Sequence, residues 1–195
     1  MRAGLQYALQ QAPATGPLYI FEMGFGTGLN ALLTAAAAER SGLQVYYETI
    51  EAFPLETTQT DQLNYCTQLE RTDLKPFFER LHHSEWNRET MLTPSFTLKK
   101  IHLALPAYLE SRLQATGPGI NLVYFDAFAP EVAPEIWSPG VFSGLYRLMA
   151  PGGSLVTYCS KSEVRRSMEA AGFEVHKIPG PYGKREMVRA IRTPG

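Results

Sequence analysis

Cysteine is scarce in this 195-residue chain, which contains only Cys66 and Cys159. Two cysteines cannot build the disulfide framework of a small secreted protein, and neither lies at a spacing typical of a metal site. Long apolar runs are also lacking, since none approaches the roughly 20 residues that a membrane-spanning helix requires. Met1 is not followed by the apolar segment of a secretory signal. We therefore expect a cytoplasmic protein that has reduced thiols and does not contact a membrane.

A strong excess of charge of one sign is missing as well. The chain has 18 Lys and Arg against 19 Asp and Glu, a net charge of −1, which argues against a protein that coats nucleic acid. The charges are unevenly distributed, however: residues 161–195 hold eight basic and four acidic residues, and the remaining residues hold ten and fifteen. The C-terminal part could contact phosphates, although a solvated helix face explains scattered charges equally well.

Several catalytic signatures are absent. The sequence shows no Ser-His-Asp or Cys-His hydrolase pattern, and the pair His82-His83 has no further ligand at metal spacing. We expect no metal site.

The pattern of strands and helices predicts one α/β domain over residues 1–195. Strand-like and helix-like segments alternate, which is typical of a parallel sheet with helices on both faces. The last two strand-like segments are joined by a loop too short for a helix and should pair antiparallel. The predicted strands are 18–23, 44–50, 96–103, 120–125, 154–159, 173–178 and 186–191. The predicted helices are 3–11, 30–40, 55–69, 74–81, 107–114 and 163–171, and residues 134–150 contain a further helix.

The most informative segment is the turn after the first strand, with Gly24, Gly26 and Gly28 at alternate positions. Glycine can adopt positive φ and lets the main chain approach a ligand closely, and nucleotide-like ligands bind at this place in open α/β sheets. The dinucleotide fingerprint has its third glycine one residue later, so this spacing favours an adenosyl ligand without a pyrophosphate. A strand-to-helix turn packed for its own sake is the alternative.

Two acidic residues follow later strands. Glu51 ends the second strand, 23 residues after Gly28, where a carboxylate can accept hydrogen bonds from ribose hydroxyls. Glu48 competes for this role but lies within the strand. Asp126 ends the fourth strand, where it could hold the N–H groups of an amine acceptor and stabilise a positive charge that grows on nitrogen when that amine attacks an electrophile. The alternatives are a solvated strand end for Glu51 and a helix N-cap for Asp126.

Residues near Asp126 and near the last strand suggest a substrate surface. Phe128, Pro130 and Trp137 could wall a flat acceptor, because aromatic faces stack on extruded bases, but aromatic residues more often fill a core. Lys184 and Arg185 could meet a nucleotide phosphate, and a solvated hairpin end is equally consistent with them.

A sheet of five parallel strands closed by an antiparallel pair resembles class I methyltransferases, which have a Rossmann-like fold and here predict a seven-stranded, mostly parallel sheet. The motifs also resemble, in chain order, those of the MnmC-type tRNA methyltransferase family. They are Glu-Met-Gly-Phe-Gly-Thr-Gly-Leu-Asn (22–30), Ile-Glu-Ala-Phe-Pro-Leu (50–55), Phe-Asp-Ala-Phe-Ala-Pro (125–130), Pro-Glu-Ile-Trp (134–137), Val-Arg-Arg (164–166) and Gly-Lys-Arg-Glu-Met (183–187).

This resemblance implies S-adenosylmethionine as cofactor and tRNA as substrate, with 5-aminomethyl-2-thiouridine at the wobble position becoming 5-methylaminomethyl-2-thiouridine. It implies that Asp126 faces the amine and that the cofactor is held by Glu22, Gly24, Phe25, Gly26, Gly28, Asn30 and Glu51. It also implies that the substrate is bordered by Phe128, Pro130, Lys184 and Arg185.

The resemblance further implies a flavin-dependent oxidoreductase that prepares the amine, either fused to the methyltransferase or separate. The end of this sequence at residue 195 resembles the stand-alone form. The segment 101–106 lacks the acid that the family carries near the adenine, and Ala133 stands where the family commonly has Asn. Two alternatives stay open: a methyltransferase-like binding module that has lost catalysis, and a nicotinamide-dependent oxidoreductase, which would need a sixth parallel strand.

Overall fold

The protein folds around a single eight-stranded sheet in a computed structural model that describes residues 2–126, 128–180, 183 and 186–193. The strand order is β3-β4-β2-β1-β5-β6-β8-β7. Strands β4, β2, β1, β5 and β6 are parallel, whereas β3 and β8 run antiparallel to their neighbours. The strands are β1 (Leu18–Met23), β2 (Val45–Glu51), β3 (Glu89–Thr93), β4 (Phe96–His102), β5 (Ile120–Phe125), β6 (Met149–Thr157), β7 (Glu174–Pro179) and β8 (Glu186–Ile191).

Helices cover both faces of the sheet. They are α1 (Arg2–Gln10), α2 (Leu29–Ser41), α3 (Thr57–Thr60), α4 (Tyr65–Gln68), α5 (Lys75–His83), α6 (Leu105–Gln114), α7 (Pro139–Leu148) and α8 (Ser162–Ala170), with 3-10 turns at Thr72–Leu74 and Pro134–Trp137.

The central strands send alternate side chains into two separate hydrophobic cores. Ile20 and Leu122 pack on the face covered by α1, α2 and α5, whereas Phe21 and Val123 pack on the face covered by α6, α7 and α8. Successive side chains of a strand point to opposite faces, so a strand that is buried on both sides needs an almost wholly apolar sequence. The Ile-Asn-Leu-Val-Tyr-Phe sequence of β5 meets this requirement.

The sheet has one strand more than the sequence predicts. β3 is a short edge strand that pairs antiparallel with β4 through an irregular register between Met91 and Thr93. Its sequence, Glu-Thr-Met-Leu-Thr, is half polar and leaves Met91 exposed. An edge strand buries one side at most, so this segment lacks the apolar run by which the other strands were recognised.

One predicted helix is interrupted. The helix predicted over 55–69 is two short helices, because Asp61 and Asn64 favour helix caps and turns over helix interiors. The helix expected within 134–150 is α7, which starts at Pro139, where Ser138 accepts a hydrogen bond from the Val141 N–H as N-cap.

The Pro-Gly-Gly sequence at 151–153, a combination that commonly ends a helix, lies inside β6. A Cβ at Gly153 would stand 2.7 Å from the Ile120 carbonyl oxygen, so glycine allows β6 to pass the start of β5, where the pairing register shifts.

The antiparallel tail confirms the predicted methyltransferase-type sheet. β8 lies between β6 and β7 and pairs antiparallel with both. No helix in the described part of the chain has the length and apolar character needed to cross a membrane.

Candidate active site

A cavity of about 930 Å³ opens where the parallel strands end. The segments that follow β1, β2, β4, β5 and β6 all contribute to its wall, as expected for a ligand site at the carboxyl edge of an open α/β sheet. The volume lies in the range of cofactor and small-molecule sites.

The glycine turn after β1 forms one side of this cavity. Gly24 has a φ of +89° and Gly26 a φ of +50°. A Cβ at Gly24 would lie 3.1 Å from the Asp126 carbonyl oxygen, whereas a Cβ at Gly26 would meet nothing within 4 Å. Gly24 therefore permits two strand ends to approach, and Gly26 leaves the backbone open to a ligand. Both glycines line the cavity, and their contact with a cofactor stays a prediction.

Gly28 contributes to packing beneath the turn. It is buried, does not line the cavity and precedes α2 with a φ of +70°. A Cβ there would lie 2.9 Å from a Leu81 methyl group and 3.2 Å from Nε2 of His82. Its lack of a side chain lets α5 pack against the turn, so this position does not support the predicted cofactor contact.

Glu51 holds the glycine turn and the next loop together. Its Oε2 accepts a hydrogen bond from the Gly26 N–H at 3.0 Å, and its Oε1 accepts one from the Phe53 N–H at 3.0 Å. Each carboxylate oxygen can accept more than one hydrogen bond, so Glu51 keeps capacity for ligand hydroxyls at the cavity wall.

The competing carboxylate, Glu48, lies away from the cavity. It is buried and accepts a hydrogen bond from the Tyr108 hydroxyl at 2.6 Å, and it also lies within ion-pair distance of Lys99 and Arg112. These contacts give Glu48 a structural role.

Glu22 and Asn30 form a buried polar pair beneath the turn. Asn30 Nδ2 donates to Glu22 Oε1 at 2.9 Å, and the Thr49 hydroxyl donates to Oε2 at 3.2 Å. Burial raises the pKa of the Glu22 carboxyl to about 8. Both residues line the cavity, where Glu22 fixes the orientation of Asn30.

Asp126 and Phe128, which follow β5, line the same cavity as Glu51. Both are exposed, and Phe128 keeps 65% of its surface accessible. Tyr158, which follows β6, completes this side. Burial, together with the negative charge of Asp126, raises the pKa of the Tyr158 hydroxyl.

Other predicted substrate residues are less closely associated with the cavity. Pro130 is half-buried and is not among the lining residues. Trp137 is buried in the core against Phe125, and its Nε1 donates to the Phe128 carbonyl at 2.9 Å, so it cannot wall a substrate. Lys184 and Arg185 lie outside the described residues.

Sequence reasoning missed several lining residues. Phe53 follows a predicted strand, and Tyr158 lies near the end of another, at the same sheet edge as Glu51 and Asp126, so these positions could have identified both residues. The apolar segment 103–106 lines the cavity after β4, where the family would have its acid. In place of a carboxylate, this segment provides an apolar surface on which a flat ring such as adenine can pack.

The arrangement fits an adenosyl cofactor. An open backbone at Gly26, a carboxylate at Glu51 and an apolar wall at 103–106 match the polar and flat parts of such a ligand. Within residues 2–126, 128–180, 183 and 186–193, no group of three His, Cys, Asp or Glu side chains could hold a metal ion.

Comparison with known proteins agrees with this geometry. Residues 79–193 match a family model described as S-adenosyl-L-methionine-dependent methyltransferase. The tRNA 5-methylaminomethyl-2-thiouridine biosynthesis bifunctional protein MnmC of Ectopseudomonas mendocina is 36% identical, over 92% of this chain and 27% of the relative. The protein of the same name from Cupriavidus metallidurans is 37% identical, over 90% of this chain and 26% of the relative.

The chain thus spans about a quarter of the length of these relatives. Among solved structures, MNMC2 from Aquifex aeolicus superimposes with a TM-score of 0.68 at 21% identity, over 97% of this chain and 57% of that chain, which supports the fold. The family model covers more than half of the sequence, and the sheet order and the cavity agree with it. The chain belongs to the S-adenosyl-L-methionine-dependent methyltransferase family.

Proposed function

We propose that this protein transfers a methyl group from S-adenosylmethionine to the exocyclic amine of 5-aminomethyl-2-thiouridine at the wobble position of tRNA. The product is 5-methylaminomethyl-2-thiouridine. One observation carries the proposal: Asp126, whose carboxylate is expected to face the amine, lines the same cavity as the glycine turn. The names of the relatives support this choice of substrate.

The cofactor side of the cavity is formed by the turn and by Glu51. Glu51 accepts hydrogen bonds from the ribose hydroxyls, and Gly24 and Gly26 let the backbone approach the cofactor closely. The same cavity wall also contains Phe25, Glu22 and Asn30. The cofactor supplies an electrophilic methyl group on a sulfonium. We assign Gly28 no contact with the cofactor and propose that it shapes the turn.

The acceptor side is formed by Asp126. Its carboxylate accepts hydrogen bonds from the N–H groups of the amine, which directs the nitrogen lone pair at the methyl carbon. The same carboxylate stabilises the positive charge that develops on nitrogen. Attack requires the unprotonated amine, and the surplus proton leaves to solvent after the N–C bond has formed. Tyr158, beside Asp126, adds a hydroxyl to this wall.

Exposed apolar side chains surround the mouth of the cavity. Phe53 and Val132 are 79% and 71% accessible, and Phe128 stands with them. We expect Phe128 to stack on the extruded base, Pro130 to support its loop, and Lys184 and Arg185 to meet phosphates. A flavin-dependent oxidoreductase that prepares the amine, and a cytoplasmic location beside the tRNA, belong to the same proposal.

Methylation of defined tRNA tests the proposal. Purified protein is incubated with S-adenosylmethionine and tRNA that contains 5-aminomethyl-2-thiouridine, and the nucleosides are analysed by mass spectrometry. We expect one added methyl group on that nucleoside and none on tRNA that lacks the amine. If S-adenosylhomocysteine binds but the nucleoside stays unmethylated, the proposed substrate is wrong. If S-adenosylhomocysteine does not bind, the cofactor roles assigned to this cavity are wrong.

A further inference from the structure

We propose that Lys100 is a positioning residue that fixes the glycine turn in its cofactor-binding form by holding the ring of Phe25. This inference rests on cofactor binding at the glycine turn, and it does not depend on the identity of the methyl acceptor. Lys100 belongs to β4, on the far side of β2 from the turn.

Lys100 is an unusual side chain in its surroundings. It keeps only 1% of its surface accessible, although lysine is rarely buried unless it is paired with an acid. Among the described residues, no carboxylate forms a salt bridge with its ammonium group, whereas the neighbouring Lys99 pairs with Glu48 at 3.5 Å. Burial lowers the pKa of Lys100 to about 8, so the side chain stays mostly protonated at neutral pH.

Three groups take the place of the missing acid. The ammonium Nζ donates to the carbonyl oxygen of His82, at the end of α5, at 2.6 Å. It also lies 4.8 Å from the ring centroid of Trp86 and 5.3 Å from that of Phe25. These distances are within the range of cation–π contacts, which are strongest where water is excluded.

The contact with Phe25 connects this cluster to the cofactor site. Phe25 lies between Gly24 and Gly26, and it lines the cavity while its ring is buried. The ring meets Trp86 edge-on at 6.0 Å and His82 at 5.4 Å. Lys100 therefore connects β4, the end of α5, Trp86 and the glycine turn through one charged group.

A buried charge with this arrangement points to function more than to stability. Removing an ammonium group from water costs free energy, and among the described residues no salt bridge offsets this cost for Lys100. Methionine would fill the same volume but would lose both the hydrogen bond to His82 and the attraction to Phe25. We therefore expect Lys100→Met to keep the fold and to loosen the turn.

The test compares Lys100→Met with Lys99→Met, a neighbour on the opposite face of β4. S-adenosylhomocysteine affinity is measured by calorimetry, and thermal unfolding is measured without ligand. For Lys100→Met we expect affinity to fall about 5- to 10-fold, the range expected for a lost cation–π contact, while the unfolding temperature stays equal or rises. For Lys99→Met we expect unchanged affinity. Wild-type affinity for Lys100→Met would overturn the proposal, as would a loss of affinity that accompanies a lower unfolding temperature.

A second measurement covers the case in which Lys100→Met does not fold. Trp86 is only half-buried, so Trp86→Leu should fold. We expect it to bind S-adenosylhomocysteine about 2- to 5-fold more weakly, because the Trp86 ring no longer contacts the Lys100 ammonium group. Where the proteins fold, Phe25→Leu combined with Lys100→Met should lose less affinity than the sum of the single changes, because both remove the same contact. Wild-type binding by Trp86→Leu, or strict additivity in the double variant, would contradict the proposal. Failure of the wild-type protein to bind S-adenosylhomocysteine would instead refute the shared premise.

Discussion

Gly24 and Asp126 approach so closely that a Cβ at residue 24 would lie 3.1 Å from the Asp126 carbonyl oxygen. The contact joins the turn after β1 to the end of β5, which are neighbouring strands. It therefore couples the cofactor side of the cavity to the carboxylate assigned to the acceptor. The width of the reaction site depends on this backbone contact, and a side chain at residue 24 would change it.

Gly24→Ala should damage the site through both its backbone conformation and this contact. A φ of +89° is strained for alanine, and the added methyl group would push against the Asp126 carbonyl. We expect affinity for S-adenosylhomocysteine, measured by calorimetry, to fall at least about 10-fold, with about 1–3 kcal/mol less free energy of unfolding. Gly16→Ala is the matched control, because Gly16 has a φ of +83° with no atom within 4 Å of a Cβ. It should lose stability and keep its affinity; equal affinity losses would contradict the role of the contact.

Asp126→Asn should separate catalysis from cofactor binding. The amide keeps the size of the side chain but loses the negative charge that stabilises the methylated nitrogen. We expect the methylation rate to fall about 100-fold or more, with S-adenosylhomocysteine affinity within about 3-fold of wild type. Rates are measured with radiolabelled cofactor under single-turnover conditions. Full activity in the variant would remove Asp126 from the mechanism.

Glu51→Ala should weaken cofactor binding. It removes the acceptor of the Gly26 and Phe53 N–H groups as well as the expected partner of the ribose hydroxyls. We expect about 10- to 100-fold weaker binding of S-adenosylhomocysteine, in line with the loss of charge-assisted hydrogen bonds. Glu85→Ala provides a control, since Glu85 is an exposed partner of Arg88. Equal affinities for the two variants would place Glu51 outside the cofactor site.

Glu22 should make stability depend on pH. Its carboxyl has a pKa of about 8 in the folded protein, against 4.5 for an unperturbed side chain, because burial disfavours the charged form. The folded state therefore holds a proton between these values that the unfolded state has lost. The contribution to stability is complete below pH 4.5 and declines as the pH rises to about 8.

Glu22→Gln should remove this dependence while keeping an acceptor for Asn30. We expect the variant to exceed the wild type by at least about 1 kcal/mol in free energy of unfolding at pH 9, and by less at pH 5. Urea unfolding at both pH values measures the difference. Parallel pH profiles would show that the Glu22 carboxyl does not titrate in this way.

Most of the sheet could be predicted from the sequence because its central strands have a recognisable apolar pattern. β1 and β5 are buried on both faces and are therefore strongly apolar, and the glycines after β1 mark the turn. β3 was missed because an edge strand needs no such pattern. The expectation for α7 was confined to a helix within 134–150, and the point at which it starts depends on the Ser138 N-cap.

Their positions at strand ends led to the prediction of Glu51 and Asp126 as site residues, and both line the cavity, while their contacts with ligands stay predictions. Gly28 does not line the cavity, because a positive φ can serve packing against α5 as well as ligand approach. The contact between Lys100 and Phe25 joins residues that are 75 positions apart in the sequence. Alternating polarity in β4 gives no sign that one of its lysines is buried.

The position of β8 also bears on how the protein reaches its native state. Among the described strands, β7 pairs with β8 alone, and β8 is synthesised after it and must enter between two segments made earlier. During translation, β6 therefore presents an open edge to solvent until β8 emerges from the ribosome. Premature termination within β8 would leave that edge available for association with other nascent chains.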